Sequence, residues 1–195
     1  MSDSIDNRLP ASSVMSLYVQ GLFFTAREYK ESAETIFNHS NRPKTYAFHL
    51  LANLSIELYL KTLIASSICE QNTSMPKDEL VTKVKKEISS YGHRIDDLLN
   101  VCTQELAISS IFHYETGAVD QYEIKRYVKD KEVFFIIKSL QSLRYGKFAN
   151  TVDHGIIAQY DGYLLEFVID LDKSVDKTYV DMCRHLDHLS LSPKK

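Results

Sequence analysis

Apolar residues recur along this chain about once per helical turn rather than at every second position, and that period sets the reading of most of its length. From Val14 the positions Leu17, Tyr18, Gly21, Leu22, Thr25, Ala26, Tyr29, Ala33, Ile36 and Phe37 form a sustained stripe, which predicts a first helix over about 12–38. The run Asn38-His-Ser-Asn-Arg-Pro43 breaks it. Asn41 suits the cap of a second helix, and Pro43 its first turn, where a missing N–H costs nothing. This second helix is expected to reach about Ser67. Phe48, Leu50, Leu51, Leu54, Ile56, Leu58, Leu60, Leu63 and Ile64 make it apolar on most sides, the pattern of a helix packed against several neighbours.

Ser74 and Pro76 give another start signal, for a short amphipathic helix on Leu80, Val81, Val84 and Ile88. Ser89 to Gly92 interrupt that helix, and after His93 the stripe resumes at Ile95, Leu98, Leu99, Cys102 and Leu106. Residues 109–121 look irregular. Val133 to Ile137 alone reads as a strand, but the flanking positions Tyr127, Leu140 and Leu143 favour a helix over 122–143. A long loop over 146–162 then precedes a closing helix marked by Leu164, Leu165, Val168, Leu171, Val175, Tyr179, Met182 and Leu186. The expected fold is therefore all-α, a bundle of five to six helices in a single domain over 1–195.

Composition narrows this further. With 195 residues, 44% apolar and 25% charged, the chain can bury one sizeable core without disulfides or metal. Only 6 Gly and 4 Pro argue against a many-stranded sandwich or barrel. Cys69, Cys102 and Cys183 are scattered and odd in number, as expected for reduced thiols in a cytoplasmic protein. The polar, acidic start lacks the marks of a signal peptide. Leu50 to Cys69 contains Glu57 and Lys61, so it reads as a buried helix and not a membrane span.

Three local patterns occur in order: Ser55-Ile-Glu57-Leu-Tyr-Leu-Lys61, Gly92-His93-Arg94-Ile-Asp-Asp-Leu98-Leu99, and Leu143-Arg144-Tyr145. Their order and spacing resemble the HEPN superfamily, small helical domains with a Glu-x-x-x-Lys helix, a Gly-His helix start and an Arg-Tyr before a closing helix. The resemblance covers about 14–189, with an insertion near 73–90. It implies an up-and-down helical core, a homodimer, and a place in a prokaryotic defence, toxin–antitoxin or nucleotidyltransferase-linked system, with an antitoxin or nucleotidyltransferase as partner protein. Some members are metal-independent ribonucleases with an Arg, four to six residues, then a His near the start of the last core helix. Here neither Arg126 nor Arg144 is followed by such a histidine; the one formal match, Arg42 with His49, lies at the start of the second helix.

The candidate chemistry follows from the same residues. Thr45, His49, Asn53, Glu57 and Lys61 recur every four positions, one polar stripe on an apolar helix that could face solvent, a cleft or a dimer seam. Glu57 and Lys61, at i and i+4, can share a charge-assisted hydrogen bond. His93 can cap its helix, meet Asp96 or Asp97, or bind a ligand. Arg144 and Tyr145 can bind phosphate or tie down a loop.

The formal charge of −3 excludes a surface that is basic throughout, but not a local patch. Residues 124–152 carry Lys125, Arg126, Lys129, Lys131, Lys138, Arg144 and Lys147 against Asp130 and Glu132, interleaved with Tyr122, Tyr127, Tyr145 and Phe148, a composition suited to phosphate contacts and base stacking. The acidic segment 153–189 is a ready internal partner for that charge. Asp181, Cys183, His185 and His188 resemble metal ligands, but at a helix end they equally suit the dipole, and no metal or other cofactor is expected. Glycine-rich phosphate loops, zinc-protease motifs and nucleophile elbows are missing from the sequence.

The expected function is a HEPN-like interaction module for nucleic acid or nucleotide, without its own catalytic centre. Its alternatives are a divergent metal-independent HEPN ribonuclease using Arg42 and His49, and a purely structural, protein-binding bundle.

Overall fold

The structure, a computed structural model, describes residues 11–39, 46–72, 74–104, 113–116, 121–128, 131–138 and 154–191. Among the described residues five helices form the bundle: α1 (Ala11–His39), α2 (Tyr46–Gln71), α3 (Lys77–Tyr91), α4 (Ile95–Gln104) and α5 (His154–Leu191). The expected all-α bundle is present, and a small antiparallel sheet is added to it between α4 and α5. Asn41 and Pro43, the expected start of the second helix, lie outside the described residues.

Side-chain pairs set the helix directions. Phe37 meets Phe48, Ser55 Oγ donates to the Ala26 carbonyl, and Phe23 meets Tyr59, so α1 and α2 run antiparallel. Phe23 stacks on Tyr179 while Arg27 reaches Asp172, which makes α5 antiparallel to α1. One core joins all five helices, from Val19 and Phe23 on α1 through Phe48, Ile56, Tyr59 and Leu60 on α2 to Phe167, Val168 and Leu171 on α5. α2 is in the middle of it, which explains why it is apolar nearly all round.

The buried face of α1 is Val19, Phe23, Ala26 and Ala33, with Lys30 on the same row. That face is rotated from the expected stripe: Gly21 is exposed, and Phe23, absent from the stripe, is fully buried. Lys30 hides the true period, because its charge is accommodated inside the row by a partner on another helix.

α3 starts without the expected serine cap. Pro76 occupies the cap position and makes no side-chain capping bond, and the Leu80 N–H donates to the Pro76 carbonyl at 2.9 Å. Asp78 and Glu79 in the first turn suit the positive end of the helix instead. Ser89 and Ser90 do not interrupt α3; the break is confined to Gly92–Arg94. Gly92 has φ 55° and ψ −119°, a conformation open to glycine and strained for residues with a Cβ.

The helix expected over 122–143 is corrected by the sheet. Strands β1 (His113–Thr116), β2 (Gln121–Val128) and β3 (Lys131–Lys138) pair in the order β1-β2-β3, all antiparallel. Val128 pairs with Lys131 and Ile124 with Phe135, the register of a tight hairpin. The run Val133–Ile137 is β-branched and aromatic, and a continuous apolar run carries no period that separates strand from helix. β1, likewise, lies inside the stretch read as irregular. The loop expected up to residue 162 is shortened, since α5 already begins at His154 and passes through Gly162. β3 lies against α5, and β1 against α4.

Candidate functional site

The polar stripe of α2 points inward. His49, Asn53, Glu57 and Lys61 are all buried, with Ser66 and Thr62 beyond them. Thr45 lies outside the described residues. The structure turns these residues into the chain's own interior, a direction beyond the solvent, cleft and dimer seam that the spacing suggested.

Glu57 is the centre of the first polar cluster. Lys61 Nζ donates to Glu57 Oε1 at 2.6 Å and to the Gly92 carbonyl at 2.6 Å. His93 Nδ1 stands 3.0 and 3.1 Å from the two oxygens of the same carboxylate. An acidic group at 3% side-chain exposure is costly to ionise alone, and the ammonium one turn away supplies the compensating charge. The turn after α3 is therefore held to α2 by two consecutive residues, one through its backbone and one through its ring. His93 itself is 57% exposed. It neither caps α4 nor meets Asp96 or Asp97; the contact it makes is with a residue 36 positions earlier in the chain.

The second cluster joins α2 to α5. His49 Nε2 is 3.1 Å from Asp161 Oδ1, and Asp161 is buried, with its Oδ2 lacking a hydrogen-bond partner. The third joins α1 to α5: Lys30 Nζ donates to Asp172 Oδ2 at 2.7 Å and Arg27 Nε to Asp172 Oδ1 at 2.9 Å, while Arg27 Nη2 reaches Asp176 at 3.0 Å. Burial pushes the Asp172 carboxyl up, but the hydrogen bonds from Lys30 and Arg27 outweigh it and hold the carboxyl below its ordinary range. The Tyr59 hydroxyl sits beside Asp172 without closing a hydrogen bond to it, and burial, reinforced by that carboxylate, raises its pKa.

Sequence reasoning missed Asp161, Asp172, Arg27 and Lys30. A signal was present: Asp161, Leu165, Val168, Asp172 and Val175 are spaced four, three, four and three residues apart, so the two acids share the buried face of α5. The buried acids of α5 are paired with α1 and α2; the side chains of the basic segment 124–152, which the charge balance suggested as their partner, lie outside the described residues.

Other expected site residues are not brought together by any described contact. Arg42, Lys129, Arg144, Tyr145 and Lys147 lie outside the described residues. Lys125 and Arg126 are consecutive on β2, and Lys138 pairs with Gln121 at the end of β3. Among the described residues no three His, Cys, Asp or Glu side chains form a metal-binding group, and no helix is long and apolar enough to cross a membrane.

Compared with known proteins, the chain matches no family model, no curated protein and no solved structure.

Proposed function

We propose that the chain is a HEPN-like helical module that binds RNA or a nucleotide as a homodimer, has no catalytic centre of its own, and works beside a nucleotidyltransferase or antitoxin partner in a prokaryotic defence or toxin–antitoxin system. One observation carries this reading. Glu57 and Lys61 of the first family-like motif, and Gly92 and His93 of the second, meet in a single cluster, although 31 to 36 residues separate them in the chain. Two of the three patterns thus meet in space, which supports reading them together.

The basic residues Lys125, Arg126, Lys129, Lys138 and Lys147 supply the phosphate-binding charge in this reading, and Arg144 and Tyr145 further ligand contacts. Retention of an RNA pool at low salt tests it. Release of counterions from about four or five phosphates makes the affinity fall steeply with added salt. No retention at low salt overturns the proposal. Light scattering at twice the 22.4 kDa chain mass is expected for the dimer.

The cleaving alternative depends on Arg42 and His49. His49 is buried and engaged with Asp161, which supports a packing role for it. Cleavage of RNA in the presence of a chelator, abolished by His49→Ala, would establish the ribonuclease instead.

A further inference from the structure

The cluster around Glu57 does more than neutralise a buried charge. Lys61 alone balances the carboxylate, and an imidazole that is 57% exposed can be solvated by water without a protein partner. Yet His93 Nδ1 is held against both carboxylate oxygens, and the residue before it is gripped through its carbonyl by Lys61. Arg94, the residue after it, is tied back to the Ser90 and Tyr91 carbonyls. Ring and backbone are fixed together.

This anchoring has a chemical consequence. A carboxylate only accepts, so in the neutral ring the proton sits on Nδ1 and the lone pair on Nε2. Nε2 makes no hydrogen bond to a described residue. The α3–α4 turn thus presents a positioned hydrogen-bond acceptor. A phosphodiester oxygen carries no proton to give, so an acceptor at Nε2 suits an uncharged donor instead. The uncharged donors of RNA are base N–H groups and the 2′-hydroxyl, and of these only the 2′-hydroxyl is offered by every nucleotide whatever its sequence.

We infer that His93 Nε2 accepts a hydrogen bond from a ribose 2′-hydroxyl, with Glu57 as its positioning residue, so that the turn between α3 and α4 distinguishes ribose from deoxyribose. The inference rests on the RNA-binding reading above.

Its test uses the full chain and labelled oligonucleotides of one sequence as RNA, DNA and 2′-O-methyl RNA, at low salt and pH 8. RNA is expected to bind roughly threefold to tenfold more tightly than either of the others, the worth of one hydrogen bond. His93→Phe brings the ratio of RNA to DNA affinity down to about one. Nitrogen NMR of His93 is expected to show the proton on Nδ1. In the double variant Glu57→Gln/Lys61→Met, which leaves no buried charge unpaired, that signature weakens and the preference falls with it. Equal affinity for the three, or a preference that survives His93→Phe, overturns this inference and leaves the binding reading standing. Failure to bind any of them overturns both.

Discussion

Asp161, buried on α5, is joined to His49 of α2 across 3.1 Å, and its second oxygen has no hydrogen-bond partner among the described residues. Removing the imidazole therefore strands a carboxylate in the core. His49→Leu is expected to cost about 3 kcal/mol in urea unfolding, and His49→Leu/Asp161→Leu to recover much of the loss. Equal stability of His49→Leu and the unaltered protein would show that the pair contributes nothing.

The same logic applies about two to three turns further along α2. Lys61→Met leaves Glu57 buried without its cation and is expected to destabilise by about 3 kcal/mol, whereas the double change with Glu57→Gln costs less than the sum of the single ones. A double-mutant cycle with no coupling between the two positions contradicts the 2.6 Å contact.

Gly92 is demanded by its backbone and not by space, since nothing lies within 4 Å of a Cβ built there while φ is +55°. Gly92→Ala is expected to lose about 1–2 kcal/mol and to disturb the carbonyl that Lys61 holds. A neutral effect on thermal unfolding would mean that the turn relaxes freely.

Asp172 gives a pH dependence of known sign. Its folded pKa lies below the ordinary value of 3.8, so it contributes stability that is present above that value and lost as pH falls through the folded one. Between pH 6 and pH 2 the unfolding free energy should fall more steeply in the unaltered protein than in Asp172→Asn. Parallel curves would remove Asp172 as a source of acid sensitivity.

Thiol chemistry separates the three cysteines. Burial, with Glu70 adding to it, pushes the Cys69 thiol up to about 12, and Cys102 is also buried, while Cys183 is partly exposed. At pH 8 a thiol reagent is expected to label Cys183 first and the other two only on unfolding. Rapid labelling of Cys69 in the folded protein contradicts its placement.

The sequence by itself determined the helical bundle, because burying one face of a helix forces an apolar residue roughly every turn, and the break at Gly92 followed from its neighbours. It also singled out Glu57, Lys61 and His93, which the fold brings into one cluster. Only the tertiary structure decided that the α2 stripe faces inward, since solvent, cleft and core leave the same four-residue spacing. The partners were equally out of reach: Asp161 and Asp172 sit at helical spacing among leucines and valines, but which cation meets each depends on how α5 packs on α1 and α2. The sheet over 113–138 escaped because an unbroken apolar run such as Val133–Ile137 satisfies either period, and strand pairing is a contact between segments that no single window contains.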